Sequence, residues 1–415
     1  MGKIYAAKTN HITNPIGFNM DTIAFSWKVK GCRGQNQKHA RIVISKNKTF
    51  TDICYDTGET ELDSLSTRVE FEIQPYTRYY WKVIVATDVE EVIESDVQFF
   101  ETAKMDEPWT GRWITCDSSQ ERHPIFSKRI EPKKKVKRAR LYICGLGLYE
   151  AYFLGESKEN PEKIGDEYLT PYCNNYDQWI QYQTYDITKQ AEQGGVLSVL
   201  LGNGWYKGIF GFMLTPNIYG DRVGAFAEIH LEYEDGSREA ICTDESWNIR
   251  TGAVRYSEIY MGETIDTTIG RDSDRADTAC VGSACESSVC ADSGVRTGTV
   301  SAMEFDKQTL TAQENEPVRI TERIPAKELI VTPKGEKLVD FGQNLTGLVE
   351  LKVHGRKGQK IVIRHAEVLD KDGNFYTETL RQAKSEDTYI CNGEEQVFLP
   401  HFTFHGFRYI CVEGM

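Results

Sequence analysis

Apolar residues alternate with polar ones along much of the chain, and this period of two most constrains what the chain can fold into. Residues 227–233 are apolar at every second position, and Asp235-Gly236 follows as a hairpin signal. Residues 80–85 and 349–354 alternate in the same way. The pattern predicts an all-β protein made of several β-sandwich domains in series.

Helical patterns are few and short. Asp186 is predicted to cap a helix of about two turns that ends at Gly194-Gly195, and residues 379–384 are predicted to form one further turn. A tight turn is predicted at Asp372-Gly373, after the alternating residues 361–368.

Stretches rich in Pro, Gly and small polar residues suggest where domains begin and end. The chain has 415 residues, enough for about three domains. We expect a first β-sandwich over residues 1–103 and a second strand-rich domain over 104–270. A linker rich in Ser, Gly and Cys is expected over 271–312, and a last β-sandwich over 313–415.

Charge and hydropathy exclude several classes of protein. The net charge of −13 argues against nucleic-acid binding, which needs clustered Lys and Arg. No apolar run approaches the ~18 residues that span a bilayer. The N-terminus shows no secretory signal, and the 11 scattered cysteines fit a reducing compartment, so a cytoplasmic location is expected.

Nucleotide-binding motifs are incomplete. Gly145-Leu146-Gly147 lacks the third glycine of a dinucleotide fingerprint and enters a predicted strand. The glycines at 342 and 347 have P-loop spacing, but Leu348 stands where the phosphate-binding Lys is required. Both segments are therefore interpreted as structural turns.

Metal-ligand patterns are short of ligands. Cys280, Cys285 and Cys290 could begin a zinc site, but a loop that merely carries thiols fits better because no His is nearby. His401 and His405 are predicted to share one face of a strand. A solvated face is favoured over a metal site there, and a cross-strand pair is favoured for His365 and Glu367. No metal site is assigned.

Aromatic and amide side chains crowd the second block, as they do in sugar-binding sites and also in sandwich cores. The aromatic residues are Tyr172, Tyr176, Trp179, Tyr182, Tyr185, Trp205, Tyr206 and Phe210, and the polar ones are Asn174, Asn175, Asp177 and Asn203. A core and a sugar site both remain open on this composition. No local motif singles out a pair of catalytic carboxylates.

Three ordered stretches make the chain resemble the N-terminal half of bacterial α-L-rhamnosidases. The first includes Thr77-Arg78-Tyr79-Tyr80-Trp81 and Phe99-Phe100-Glu101-Thr102. The second includes Gly145-Leu146-Gly147-Leu148-Tyr149-Glu150 and Leu201-Gly202-Asn203-Gly204-Trp205-Tyr206. The third includes Val339-Asp340-Phe341-Gly342-Gln343-Asn344, His365-Ala366-Glu367 and Phe404-His405-Gly406-Phe407-Arg408-Tyr409. In order, they resemble a fibronectin-type-III-like domain, a jelly-roll domain that binds rhamnose in some members, and a concanavalin-like sandwich.

The resemblance implies an inverting glycoside hydrolase that removes terminal rhamnose from glycosides or polysaccharides. In the family, an (α/α)6 barrel after the third stretch carries the catalytic acids, and its Asp-Cys-Pro-Gln-Arg type of motif is absent here. We therefore expect no catalytic residue within residues 1–415. A stand-alone carbohydrate-binding protein and a scaffold without ligand are the alternatives.

The resemblance also implies a sugar site and a calcium site in the second domain. We expect Asn203, Trp205, Tyr206, Trp179 and Asp177 to contact a rhamnose-containing carbohydrate. Where the family has an amide, this chain has Leu154, which offers calcium no oxygen ligand, although Glu156 is near in sequence. Calcium is therefore not assigned as a cofactor, and a homodimer is left open.

Overall fold

In the computed structural model, β-strands dominate, which confirms the predicted all-β class. The structure describes residues 2–117, 123–156, 158, 160–211, 213–268 and 298–415. The first nine strands are β1 (Lys3–Thr9), β2 (Ile16–Phe18), β3 (Ile23–Lys30), β4 (Gln37–Ser45), β5 (Ile53–Asp56), β6 (Thr67–Val69), β7 (Arg78–Thr87), β8 (Val92–Glu94) and β9 (Gln98–Thr102).

The middle of the chain adds twelve strands and two short helices. They are β10 (Trp113–Cys116), β11 (Pro124–Ile130), β12 (Val136–Leu146), β13 (Leu148–Gly155), β14 (Glu162–Lys163), β15 (Ile180–Asp186), α1 (Thr188–Gln193), β16 (Gly195–Gly202), α2 (Gly204–Lys207), β17 (Gly224–Tyr233), β18 (Arg238–Cys242), β19 (Asn248–Thr251), β20 (Val254–Glu258) and β21 (Gly262–Asp266).

The remaining strands complete the chain. They are β22 (Val300–Met303), β23 (Leu310–Ala312), β24 (Glu328–Val331), β25 (Lys337–Gly347), β26 (Leu351–His354), β27 (Lys360–Ala366), β28 (Val368–Leu369), β29 (Phe375–Tyr376), β30 (Glu386–Ile390), β31 (Glu395–Phe398) and β32 (His405–Glu413). Two 3₁₀ turns lie at Lys307–Thr309 and Glu378–Leu380, and the second falls at the start of the predicted turn over 379–384.

The chain divides into two compact units. The first comprises Met1–Trp109, Gln181–Asp186 and Leu310–Glu316, and the second comprises Thr110–Ile180, Ile187–Thr309 and Pro317–Met415. Of the linker predicted over 271–312, residues 271–297 lie outside the described residues, and β22 and β23 lie within its C-terminal part. The three boundaries between the four predicted segments stay a prediction.

The first unit is built on two sheets. One has the order β1-β3-β6, and the other has the order β2-β9-β7-β4-β5 with β8 beside β7. Side chains along β7 alternate strictly between buried and half-buried, as the sequence predicted for this strand. Its core is aromatic, since Phe25 lies 4.4 Å from Trp81 and Tyr79 lies 5.2 Å from Phe100, measured between ring centroids.

In the second unit, β17 lies between β10 and β12 in one sheet, with β22 beyond β10 and β18 paired to β17. The predicted hairpin at Asp235-Gly236 joins β17 to β18, and Gly236 has the positive φ of +80° that such a turn requires. A second sheet has the order β14-β13-β16-β11-β19, and a third has the order β20-β21-β30-β27-β32-β25-β24.

One hydrophobic cluster in the second unit joins residues that are far apart in the sequence. It contains Ile125, Leu148 and Leu200 from the five-stranded sheet together with Ile363 and Phe402 from the C-terminal part. Strand β21 pairs in parallel with β30, so residues before and after the region 269–297 share a sheet. The residues of this unit before position 269 and those after position 297 therefore share a buried apolar core.

Helix α1 confirms the predicted short helix but not its cap. Ile187 is the N-cap residue, and no side chain caps the first turn, whereas Asp186 ends β15. The predicted end is correct, because Gly194 terminates the helix with a φ of +68°. The prediction of capping by Asp186 was wrong, because the strand continues through that residue.

Glu150 in β13 is a buried carboxylate with three partners. It accepts hydrogen bonds from Lys163 Nζ at 2.6 Å and from the Tyr152 hydroxyl, and its Oε2 lies 2.7 Å from His401 Nδ1. Burial opposes ionisation of Glu150, but His401 and Lys163 outweigh it and hold the pKa at about 2. Burial likewise opposes a charged His401, and Glu150 outweighs it and raises the pKa of that imidazole.

The structure corrects the prediction that His401 and His405 share a solvated strand face. Both side chains are buried, and residues 401–404 precede β32, which begins at His405. The backbone N–H groups of His401 and Phe402 donate to the Glu263 carboxylate at 3.0 and 2.9 Å. This anchoring turns His401 towards Glu150, whereas His405 faces a different carboxylate, Asp387.

Gly147 joins β12 to β13, and its replacement tests the tight crossover between two sheets. Its φ is +108°, and a Cβ there would lie 2.3 Å from the backbone oxygen of Gly202. Gly236 also has a positive φ, but a Cβ there meets nothing within 4 Å. We expect Gly236→Ala to cost about 1 kcal/mol of unfolding free energy and Gly147→Ala about 3 kcal/mol or more. Urea titrations followed by tryptophan fluorescence measure both unfolding free energies. Equal losses would show that the close approach of Gly147 to Gly202 does not add to the cost.

The pair of His401 and Glu150 predicts a pH-dependent stability. Because the pKa of His401 is raised, its stabilisation is full below about pH 6.5 and is lost as the pH rises through the folded-state value. We expect His401→Gln to lower the unfolding free energy by about 2 kcal/mol at pH 6, and by less at pH 9. His354→Gln, at an exposed position on β26, is the control and should show no such trend in urea titrations. A loss from His401→Gln that is constant from pH 6 to pH 9 would refute the pairing.

Candidate functional site

The predicted sugar-binding residues Asn203, Trp205 and Tyr206 lie together after β16, around α2. Asn203 is the N-cap of this one-turn helix, and Gly204 follows with a φ of +54°. The left-handed backbone at Gly204 turns the chain sharply out of the strand, which suits glycine. The position of these three residues is therefore set by the buried strand that precedes them.

Glu258 at the end of β20 holds both ends of α2. Asn203 Nδ2 donates to Glu258 Oε1 at 3.1 Å, and the backbone N–H of Ile209 donates to Oε2 at 2.7 Å. Burial raises the pKa of this carboxyl, while the two donors and Lys207 act in the opposite direction. Sequence reasoning missed Glu258 because 55 residues separate it from Asn203 and no local motif links them.

The aromatic side chains around α2 differ in exposure. Tyr206 is only 2% exposed and contacts Tyr176, with ring centroids 5.1 Å apart in an edge-to-face arrangement. Tyr176 in turn lies 5.1 Å from Tyr219. Trp205 is half-buried and packs against the hydrophobic cluster of the second unit. Tyr206 therefore shapes this region from within, while Trp205 retains some exposed surface.

Trp179 and Asp177 lie in the turn that precedes β15. The backbone N–H groups of Gln178 and Trp179 both donate to the carbonyl of Asn175 at 2.9 Å, which closes the turn. The Trp179 side chain is 39% exposed, and Asp177 is exposed as well. Tyr176, which precedes them and is buried, links this turn to Tyr206. An exposed indole offers the flat apolar face on which a pyranose ring stacks.

Other members of the predicted aromatic group lie elsewhere. Tyr182 is a buried residue of β15 in the first unit, where its ring is 4.9 Å from that of Trp109. Tyr172 is buried and donates its hydroxyl to Glu167 at 2.7 Å. The composition of the second block thus combined core and surface residues, as the two open interpretations allowed.

The positions that the resemblance assigned to calcium do not fit that ion. Leu154 is buried in β13 opposite Val196 and presents no oxygen. The Glu156 carboxylate lies 3.3 Å from Arg129, and the Asn203 amide is engaged with Glu258. These positions therefore do not supply the set of six to eight oxygen ligands that calcium takes. The three cysteines considered for zinc, Cys280, Cys285 and Cys290, lie outside the described residues.

A second polar group lies in the C-terminal part, where His365, Asp387 and His405 come together. These buried residues belong to β27, β30 and β32. Each offers one atom that can bind a metal, and the three atoms lie within 4.8 Å of one another. Burial, with His405 beside it, lowers the pKa of His365 to about 4. The cross-strand pairing predicted for His365 and Glu367 is not what the structure shows, since β27 ends at Ala366 and His365 faces Asp387.

No helix among the described residues is long and apolar enough to cross a membrane.

Three family models match the chain in order. The model of the Rha78A-like N-terminal immunoglobulin domain matches residues 4–106, and that of the α-L-rhamnosidase N-terminal domain matches residues 134–322. The model of the bacterial α-L-rhamnosidase concanavalin-like domain matches residues 330–415. The immunoglobulin domain falls where the sequence predicted a fibronectin-type-III-like sandwich, and both are β-sandwiches.

Known proteins give the same result. An α-L-rhamnosidase of Streptomyces avermitilis is 37% identical over 75% of this chain and 29% of its own length. One of Formosa agariphila is 30% identical over 98% of this chain and 45% of its own length. The crystal structure of an α-L-rhamnosidase from Aspergillus terreus superposes with a TM-score of 0.85 at 28% identity, over 100% of this chain and 47% of that one.

The chain thus spans about half the length or less of the curated relatives it matches. The resemblance to α-L-rhamnosidases is confirmed, and the concanavalin-like domain that it named is matched at the C-terminal end of the chain. The chain belongs to the bacterial α-L-rhamnosidase family and corresponds to the non-catalytic N-terminal portion of its members.

Proposed function

We propose that the whole protein removes terminal α-L-rhamnose from plant glycosides or rhamnose-containing polysaccharides, and that this chain supports the reaction without performing it. The observation that carries the proposal is the ordered match of three N-terminal family domains along residues 4–415. The relatives that share these domains over most of this chain are named α-L-rhamnosidases.

The chemistry of an inverting glycosidase explains why no residue here is assigned a catalytic role. One carboxylic acid protonates the leaving oxygen while a carboxylate opposite it activates water, with the two groups ~6.5–9.5 Å apart across an open cleft. Among the described residues, three buried carboxylates face other groups of the protein instead. Glu150, Glu263 and Asp387 hold His401, the backbone at 401–402 and His405.

We further propose that the region around α2 binds rhamnose without chemistry. The exposed indole of Trp179 would stack on the sugar, and Trp205, Asp177 and Asn203 would contribute the adjoining surface. Support comes from the exposure of Trp179 and Asp177 and from the Glu258 contacts that fix Asn203 and α2. Tyr206 supports this surface from inside, because it is buried against Tyr176.

The competing functions are a stand-alone carbohydrate-binding protein and a scaffold without ligand. Binding of rhamnose would exclude the scaffold without ligand. It is expected both for a sugar-binding part of a rhamnosidase and for a stand-alone carbohydrate-binding protein. The cytoplasmic location and a homodimer also stay predictions. The location is supported by eight cysteines that are free thiols among the described residues, four of them buried.

Activity measured on residues 1–415 tests the non-catalytic role. We expect no release of phenol from an aryl α-L-rhamnoside above the buffer rate, because the carboxylates of Glu150, Glu263 and Asp387 are enclosed in the protein interior and do not face an open cleft. A complete α-L-rhamnosidase, such as the Formosa agariphila relative, is the positive control. Turnover that scales with the concentration of the chain and persists through repurification would overturn the proposal.

Calorimetric titration with L-rhamnose tests the binding role. We expect a dissociation constant on the order of millimolar, no heat with D-glucose, and the same affinity in calcium as in a chelator. Trp179→Ala should weaken binding about tenfold through loss of stacking. Tyr256→Ala removes a similarly exposed aromatic residue from β20 and should change the affinity by less than about twofold. Equal effects of the two substitutions, or no heat with L-rhamnose, would count against a site at α2.

A further inference from the structure

Two histidines and one aspartate converge in the interior of the C-terminal sheet, in neighbouring strands. His365 lies in β27, Asp387 in β30 and His405 at the start of β32, and all three are at most 3% exposed. The imidazole rings stack, with centroids 4.0 Å apart and planes inclined by 26°. The proposed rhamnosidase reaction does not use this cluster, and Asp387 is the carboxylate that both rings face.

Ser385 fixes the outer nitrogen of each ring. His365 Nδ1 lies 2.9 Å from the Ser385 carbonyl oxygen, and His405 Nδ1 lies 2.9 Å from the Ser385 hydroxyl. A carbonyl only accepts hydrogen bonds, so His365 Nδ1 carries a proton and Nε2 is turned towards Asp387. Histidines that bind metals are usually held this way, with one nitrogen on a backbone or hydroxyl partner and the other on the ion.

Two of the three inner atoms of the cluster lack a hydrogen-bond partner. Among the described residues, His365 Nε2 and Asp387 Oδ2 are buried without a hydrogen bond. They lie 3.9 Å apart, too far for a hydrogen bond, and His405 Nε2 is 3.2 Å from the same oxygen. Unpartnered buried polar atoms are costly, whereas a cation with bonds of ~2.1 Å would satisfy them at these separations.

The surrounding groups are consistent with one ion. Asp387 Oδ1 accepts a hydrogen bond from the backbone N–H of Glu263 at 2.9 Å and lies within hydrogen-bond distance of His405 Nε2, at 3.3 Å. Oδ2 is therefore the oxygen of this carboxylate that has no hydrogen bond. The Tyr389 hydroxyl, two residues along β30, is also buried without a hydrogen bond. The Glu263 carboxylate is occupied by the backbone at 401–402. The two imidazole rings are stacked, so the binding of one ion by both requires a larger angle between their planes.

We propose that His365 Nε2, His405 Nε2 and Asp387 Oδ2 form a buried metal site that takes zinc. Two imidazoles and one carboxylate match the ligands of zinc, whereas calcium and magnesium prefer sets made only of oxygen. The remaining coordination position would be taken by water, as in other zinc sites with three protein ligands. The role is structural and independent of the rhamnosidase reaction, since the ion would tie β27, β30 and β32 together.

Zinc content measures the site directly. The purified chain, freed of any tag, is equilibrated with zinc, dialysed, and analysed by plasma mass spectrometry beside circular dichroism. We expect one zinc per chain, and visible absorption bands when cobalt replaces it. A triple variant in which Cys280, Cys285 and Cys290 become Ser should retain one zinc, and so should His354→Gln. His405→Gln and Asp387→Asn should lose it and also lose the zinc-induced rise in melting temperature.

The wild-type measurement keeps the test decisive even if a cluster variant fails to fold. Folded wild-type chain without bound zinc, and with a melting temperature indifferent to zinc, would show that the three side chains do not bind the ion. Zinc that persists in Asp387→Asn or disappears with the cysteines would place the ion elsewhere. Either result overturns the proposed site.

Discussion

The buried carboxylate of Glu150 is the interaction on which the second unit depends. A carboxylate removed from water is tolerable only with charged and hydrogen-bonding partners, and here these come from three places in the sequence. Tyr152 and Lys163 are close along the chain, but His401 is 251 residues away. The charge of Glu150 is therefore compensated fully only when the C-terminal part of the chain has folded against β13.

The hydrophobic cluster of this unit imposes the same requirement. Leu148 and Leu200 flank Glu150 in the sheet formed by β13 and β16, and they share a buried cluster with Ile363 and Phe402. Most of the residues that two family models match, at 134–322 and 330–415, thus lie in one compact unit. If either part folded alone, its apolar surface would stay exposed to water and the charge of Glu150 would lack its partner His401. This favours cooperative folding of the two parts.

Local signals in the sequence predicted local structure well. The alternation over residues 227–233 and the Asp235-Gly236 pair specified a hairpin whose strands and turn are adjacent along the chain. The partners of buried charges could not be predicted in this way. His401 and His405 are four residues apart, yet one meets Glu150 and the other Asp387, because residues 401–404 lie outside the strand that begins at His405. The candidate sugar site shows the same limit, since only the structure shows that Glu258 holds Asn203 and that Tyr206 points inward.

Glu263 connects the pair of His401 and Glu150 with the cluster of His365, Asp387 and His405. Its carboxylate accepts the backbone N–H groups of His401 and Phe402, while its own N–H donates to Asp387. Burial raises its pKa to about 7, with His401 acting against the shift and Asp387 adding to it. A displacement of β21 would therefore disturb His401 at Glu150 and Asp387 at His405 together. The hydrogen bonds of one residue couple the position of residues 401–402 to the interior of the C-terminal sheet.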